Sequence, residues 1–245
     1  MLLTSGALAS RRREPHPEAS YTAHVDAVEL MVRGVVVGLF QENCYLIGSR
    51  RGGEAVCVDP GDEPAEIMVL ARDMGVRITK IVCTHAHLDH IMAARAIKEA
   101  TNAPFLLHSA DLALAERVPE TARMWIGSEV PPPPRPDFLV SDGDDVEIPG
   151  LELKVLHTPG HTQGSVSLYG GGMLFSGDTL FRGSIGRTDL PGGDYGQLMR
   201  TIANGLLLLP DDTVVLPGHM QQTTIGAERA ENPFILEELA RRRDG

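Results

Sequence analysis

Apolar residues in this chain fall into short alternating or continuous runs between turn-forming residues, the pattern of a mixed α/β fold. The Val-rich run 29–37 reads as a strand, and 43–48 and 54–59 as two more. Asp62 stands where a helix N-cap belongs. Ile67, Leu70, Ala71 and Met74 then recur at i, i+3, i+4 and i+7, and Gly75 supplies a stop. A strand at 78–83 runs straight into Thr84-His85-Ala86-His87-Leu88-Asp89-His90. A helix is expected over about 91–100, a strand at 105–108 and a helix over 111–117. The proline-rich stretch 131–136 fits neither helix nor central strand and reads as a stiff surface connection between two halves. Beyond it come strands at 146–148 and 151–157, turned by Pro149-Gly150, and a hairpin of 165–169 and 173–176. A helix over 195–207, a strand at 213–216 and one last helix over 226–242 complete the chain. Each half runs strands first and helices after, which suggests two similar layers packed face to face with helices outside.

Composition narrows the class. The 245 residues are 42% apolar and 22% charged, the balance of an ordinary globular protein with a sizeable core. No apolar run approaches the roughly 20 residues that span a bilayer. Residues 1–10 are weakly apolar and precede Arg11, Arg12 and Arg13, the reverse of a signal peptide's order, so the expected location is the cytoplasm. Residues 1–27 show no periodicity and are expected to be a flexible extension, including His16 and His24, with 28–245 as a single domain. A net charge of −11, with basic clusters only near the chain ends, argues against a nucleic-acid partner. Cys44, Cys57 and Cys83 are widely spaced and lie in strand-like runs, the usage of small buried hydrophobes in a reducing compartment.

The histidines carry the chemistry. In an extended segment alternate residues point the same way, so His85, His87 and Asp89 are expected to face one pocket at the end of the 78–83 strand. His90 follows as the chain turns into a helix, within reach of a second point nearby. Imidazole and carboxylate are ligands for zinc and similar divalent ions. His161, Asp178 and His219 share a local feature: each follows a predicted strand and a glycine, Gly160, Gly177 or Gly218. A glycine turn at a strand end can aim the next side chain into a site at the sheet edge. Seven potential ligands exceed the needs of one tetrahedral zinc and suit two metals sharing a bridging carboxylate. His108 reads as a cap or core neighbour, and His157 as a packing residue.

At these residues the chain resembles the metallo-β-lactamase superfamily. The run 84–90, then His157-Thr158-Pro159-Gly160-His161-Thr162, Ser176-Gly177-Asp178-Thr179 and Pro217-Gly218-His219 match its motifs in order, and Asp59-Pro60-Gly61 matches its early motif. The resemblance implies a four-layer αββα sandwich with the site at one edge of two sheets. It assigns His85, His87 and His161 to a first metal, Asp89, His90 and His219 to a second, and Asp178 to the bridge. Asp59 would orient a ligand loop. The implied cofactor is two divalent ions, zinc foremost, with iron or manganese also accepted.

Within that superfamily, 179–194 (TLFRGSIGRTDLPGGD) and Thr223-Thr224-Ile225-Gly226 with Glu228, Arg229, Asn232, Pro233 and Phe234 are similar to short glyoxalase II-like (hydroxyacylglutathione hydrolase-like) enzymes. The implied substrate is a small-molecule thioester such as S-lactoylglutathione, with Asp89 aligning the attacking water. Arg182 or Arg187 is a candidate for holding an anionic substrate, against a plain salt bridge to Asp189 or Asp194. Only 26 residues follow His219, so the helical glutathione-binding domain of full-length glyoxalase II is not expected. Met220-Gln221 stands where relatives often have Gly-Pro. The alternative is a persulfide dioxygenase of the same fold, with one iron on His87 or His85, His161 and Asp178. An RNA-processing nuclease is disfavoured by the acidic balance, and a non-catalytic metal module by the complete ligand set.

Overall fold

The computed structural model describes residues 20–25, 28–49 and 53–244. Residues 1–19 of the expected extension, with His16 and Arg11–Arg13, lie outside the described residues. The rest of that stretch is not all extension. Residues 20–25 form β1 (Ser20–Val25), an edge strand paired antiparallel with β2 (Val28–Val37). Tyr21, Thr22 and Val25 are good strand formers, and a neighbouring strand satisfies their backbone.

The first half continues with β3 (Glu42–Ser49), β4 (Glu54–Val58), α1 (Pro64–Met74), β5 (Arg77–Val82), α2 (Leu88–Ile91), α3 (Ala94–Thr101) and β6 (Phe105–His108). Then come α4 (Leu112–Glu116), α5 (Val118–Ile126) and, past the prolines, β7 (Phe138–Val140). These strands form one sheet in order β1-β2-β3-β4-β5-β6-β7, antiparallel up to β4 and parallel beyond. The second half supplies β8 (Asp145–Ile148), β9 (Leu151–His157), β10 (Val166–Gly170), β11 (Met173–Gly177), and the two-residue strands β12 (Leu180–Phe181) and β13 (Ser184–Ile185). It ends with α6 (Tyr195–Asn204), β14 (Val214–Pro217), β15 (Thr223–Thr224), α7 (Ile225–Glu231) and α8 (Pro233–Asp244). Its sheet runs β15-β14-β11-β10-β9-β8, with β12-β13 as a separate ribbon.

Alternation along the strands sorts side chains into three apolar layers. In β3, Cys44 and Leu46 pack with Ile67 of α1, Leu88 of α2 and Ile97 of α3. Their neighbours Tyr45 and Ile47 pack instead with Leu153, Leu168 and Phe175 of the second sheet. In β11, Phe175 points inward, meeting Tyr45 edge to face at 5.4 Å between ring centroids. Leu174 and Val215 point outward onto Leu198, Ile202 and Ile235 of the second helical layer. The result is helix, sheet, sheet, helix, the expected αββα order.

Local corrections have simple causes. Asp62 does not cap α1. The cap is Glu63, in the left-handed region at φ 47°, because Pro64 already occupies the first turn; Asp62 Oδ1 instead accepts the Glu63 N–H. The helix expected over 91–100 is broken between α2 and α3. The single last helix is two, parted at Asn232 because Pro233 has no N–H to continue the ladder. The 3₁₀ turn Leu206–Leu208 follows α6 rather than extending it. Among the described residues, no helix is long and apolar enough to cross a membrane.

Candidate metal centre

Strand β5 delivers the histidine run to the edge of the first sheet. Asp59, directly after β4 and at φ 52°, accepts the Thr84 N–H at 2.6 Å and the Thr84 hydroxyl at 2.7 Å. His87 is still extended (φ −67°, ψ 149°), but α2 begins at Leu88. This corrects the expectation that His85, His87 and Asp89 face one pocket as alternate residues. The helical turn swings Asp89 away from the first two, toward His219, whose Nε2 lies 3.3 Å from Asp89 Oδ2.

The second sheet brings the other donors. His161 follows β9, Asp178 follows β11 and His219 follows β14. Gly160 (φ 137°) and Gly177 (φ 49°) make the turns. Gly218 is there for space: an added Cβ would lie 2.5 Å from His90 Cε1 and 2.6 Å from Asp178 Oδ1. Backbone bonds stitch the sheets at this edge, Val166 N–H to Thr84 O at 2.8 Å and Asn43 N–H to Gly218 O at 2.7 Å.

The hydrogen-bond network fixes which nitrogens are bare. Thr84 spends its proton on Asp59, so its oxygen accepts His85 Nδ1–H at 3.1 Å and His85 Nε2 carries a lone pair. His161 Nδ1–H donates to Arg187 O at 2.7 Å, and its Nε2 is bare too. His90 Nδ1–H donates to Asp59 Oδ2 at 2.9 Å. The bare atoms of His85 and His161 converge with His87 Nδ1. His85 Nε2, His87 Nδ1 and His161 Nε2 lie 2.8, 3.1 and 3.2 Å apart, near the about 3.4 Å edge of donors around a tetrahedral zinc. His90 Nε2 faces Asp178 Oδ1 at 3.4 Å, both buried and without a hydrogen bond. Lone pairs aimed at lone pairs are costly unless a cation, a proton or a metal ion, lies between them, and the convergence of neutral imidazoles around one point fits a metal ion. Four groups among the described residues, His85/His87/His161, His85/His90/Asp178, Asp89/His90/His219 and Glu42/Asp59/His90, each bring donor atoms within 4.8 Å of one another.

The electrostatics agree. Burial, then neighbouring imidazoles, hold His85 well below the ordinary histidine range and His87 at about 3, so both stay neutral. For Asp178, burial opposes ionisation, yet His90, His161 and His219 hold it well below the usual carboxylate range. Asp89 is likewise lowered: burial opposes, but the hydrogen bond from His219 prevails. His90 is the exception: burial disfavours its charge, but the Asp178 and Asp59 carboxylates outweigh it and raise the pKa, so without a metal ion a proton on Nε2 would be the cation facing Asp178.

Four residues that the sequence reading passed over shape the site. Asp111, read only as a helix start, is fully buried. Its carboxylate accepts Ala86 N–H at 2.9 Å, Thr162 Oγ1–H at 2.9 Å and Gly164 N–H at 2.7 Å, tying the His85–His87 loop to the His161 loop. Asn43 Nδ2 donates to Pro217 O and Met220 O, both at 2.9 Å, and Tyr45 Oη donates to Pro217 O at 2.9 Å; together they clamp the His219 loop. Glu42 is buried beside His90, with neither carboxylate oxygen hydrogen-bonded, and burial raises its pKa well above the ordinary range. No local pattern marks these residues, since each partner lies far away in sequence.

Other candidates settle into lesser places. Arg187 forms a two-point ion pair with Asp189 (2.7 and 2.8 Å), so its side chain is engaged. Arg182 is exposed on the turn between β12 and β13. His108 caps a 3₁₀ turn by accepting Ala110 N–H, and its ring stacks on His157 at 4.4 Å. Met220, where relatives often have glycine, sits at φ 68°, a left-handed conformation that glycine adopts freely. The three cysteines are buried and free.

Two sheets with a convergent imidazole and carboxylate set at their shared edge define a metallo-hydrolase architecture. Residues 37–219 match the sequence pattern of the metallo-beta-lactamase superfamily, and the chain belongs to that superfamily. Hydroxyacylglutathione hydrolase GloC of Haemophilus influenzae is 33% identical over 204 residues, covering 82% of this chain and 96% of that protein. The probable metallo-hydrolase YqgX of Bacillus subtilis is 37% identical over 206 residues (83% and 96%). Among solved structures, the B3 metallo-beta-lactamase BLEG-1 superposes with a TM-score of 0.79 at 36% identity, over 84% of this chain and 99% of that one. TTHA1623 in a di-iron-bound form gives 0.75 at 43% (82% and 98%). ETHE1 from Myxococcus xanthus gives 0.69 at 29% (82% and 83%).

Proposed function

We propose that the protein is a two-metal hydrolase of small-molecule thioesters, S-lactoylglutathione or a close analogue, acting in the cytoplasm. The observation that carries the reading is the pair of donor triads, His85/His87/His161 and Asp89/His90/His219, on either side of the Asp178 carboxylate. In this reading each triad would hold one divalent ion, and Asp178 would be shared between them. Zinc suits imidazole and carboxylate donors best, while iron and manganese also accept them, and the di-iron form of TTHA1623 keeps iron in view. The likeness to GloC supports the thioester substrate.

Bound ions would supply an acidified water and polarise the thioester carbonyl. The chain's own residues do the rest. Asp59 holds Thr84 and the His90 ring in place, and Asp111 holds the two histidine loops. Asp89, kept anionic, aligns the attacking water, one of whose protons ends on the departing thiolate while the other leaves to solvent. The water oxygen bonds to the acyl carbon, the C–S bond breaks, and the thiolate leaves without an acid, since thiols ionise near pH 8.5. The products are a carboxylate and a thiol. With Arg187 paired to Asp189, exposed Arg182 is the cation after Asp178 left to attract an anionic substrate.

The likeness to ETHE1 supports a second reading, a mononuclear iron persulfide dioxygenase using His85 or His87, His161 and Asp178. One experiment separates the two. Metal content is measured on freshly purified protein, alongside thiol release from S-lactoylglutathione and oxygen uptake with glutathione persulfide. Nearly two ions per chain with thiol release is expected. About one iron per chain, with oxygen consumed and no thioester cleaved, overturns the hydrolase reading.

A further inference from the structure

Several large apolar side chains are left exposed around one feature. Leu39 and Met124 are each 71% exposed and Trp125 is 45% exposed. Leu39 belongs to the turn joining β2 to β3, and the other two end α5. Phe40 and Trp125 bring turn and helix together, with ring centroids 6.3 Å apart. Between them lies a shallow recess open to solvent, lined by Leu39, Phe40, Met92 and Ile126, with Asp89 also in its lining and Trp125 beside it through Phe40. Asp89 is also the residue whose carboxylate faces His219, so the recess adjoins the metal centre.

The turn that forms one wall is fixed. Gly38 N–H donates to Glu63 Oε2 at 3.1 Å, and Asp62 packs so closely on Gly38 that an added Cβ would lie 2.9 Å from its Cβ. The charged side chains of the lining, Asp62 and Asp89, are both acidic. An anionic arm would be repelled here, and a neutral hydrocarbon arm would leave water for apolar surface already in place. Isolated exposed apolar residues are ordinary, but a cluster beside a recess that adjoins a candidate metal centre is the kind of surface that takes a ligand.

We propose that this recess binds an apolar acyl arm of the substrate, so that thioesters with a hydrocarbon acyl group are preferred over those with a short or polar one. The proposal rests on the thioester-hydrolase reading and moves its preferred substrate from the short, polar lactoyl thioester to acyl groups with a hydrocarbon arm. Each methylene buried is worth roughly a fourfold factor in binding, so burial of a few should be plainly visible.

The test compares acetyl-, lactoyl- and hexanoylglutathione on the metal-loaded protein and its Trp125→Ala and Leu39→Asp variants. Leu39 is largely exposed and Trp125 about half exposed. Wild type should show kcat/KM at least about tenfold higher for hexanoyl than for acetyl, and each variant should bring that ratio below about threefold. Trp125 is the only tryptophan in the chain, so its fluorescence gives an independent signal. The uncleavable thioether S-hexylglutathione should shift its emission to the blue at concentrations where S-methylglutathione does not. Equal kcat/KM across the acyl series, in a protein that cleaves them all, overturns the recess and leaves the hydrolase reading standing. A blue shift with S-hexylglutathione in a protein that cleaves no thioester supports the recess and removes the hydrolase reading.

Discussion

The carboxylate of Asp111 takes hydrogen bonds from Ala86, Thr162 and Gly164, residues that flank ligands on both halves of the chain. Asp111→Ala strands three buried donors, at a cost of about 2–4 kcal/mol. It also frees both loops, and a group that supports ligands in this way typically contributes 10- to 100-fold in metal affinity. Competition with a chromogenic chelator should show that loss; unchanged affinity would refute the role. His87 gives a pH-dependent prediction for the metal-free protein. Burial and His161 hold it at about 3 in the fold, against about 6.5 unfolded. Below pH 6.5 the unfolded chain takes up a proton that the native site refuses, so this residue's contribution falls as pH falls from about 6.5 toward 3. His87→Gln should remove that loss, shifting the stability difference from wild type by up to about 2 kcal/mol between pH 7 and 5 in denaturant melts. The seven donors were legible in sequence because imidazole and carboxylate recur in short runs after strands and glycines. Asp111, Asn43 and Glu42 were not, because each is a lone polar residue whose meaning lies in contacts from distant parts of the chain.

At the scale of elements, Glu228 shows why a motif can be read as family likeness without its mechanism. Its Oε2 accepts Gly183 N–H at 2.9 Å and Asn232 Nδ2–H at 2.7 Å, and its Oε1 accepts the Thr223 hydroxyl at 2.6 Å. One side chain thus fastens α7 to β15 and to the β12-β13 ribbon that follows Asp178. Glu228→Ala should lower stability by about 2–3 kcal/mol, read by urea unfolding, and weaken catalysis by letting the ribbon drift; Glu228→Gln should recover part of both. The strands β2 to β6 and β8 to β11 and the helix α1 were readable because their periodicity is long enough to see. The strands β7, β12, β13 and β15 have two or three residues each, too few for any period, and form because a neighbouring edge is already in place. Likewise α5, with Pro119 in its first turn, offers too short an apolar stripe beside the prolines that follow.

For the whole molecule, the donors divide between the sheets: His85, His87, Asp89 and His90 follow β5, and His161, Asp178 and His219 follow β9, β11 and β14. Ions bound there would bind the folded state alone and join the two sheets. Stripping metal with a chelator should lower the melting temperature, with roughly 3–4 kcal/mol lost for each site previously saturated 100- to 1,000-fold over its Kd. Adding zinc back should restore it, and a melt indifferent to chelator would count against a shared site. The αββα order was foreseeable from two runs of strands followed by helices; which strand neighbours which was not, because the crossing from β11 to β14 skips the ribbon and α6. The connection at 131–136 is exposed for much of its length and lies between the last helix of the first half and β7. Neither side of it holds a full set of donors. A protein cut there would yield two polypeptides that recognise each other through a shared ion, so reassembly of the fragments would respond to zinc concentration as a genetic split reporter does to its inducer.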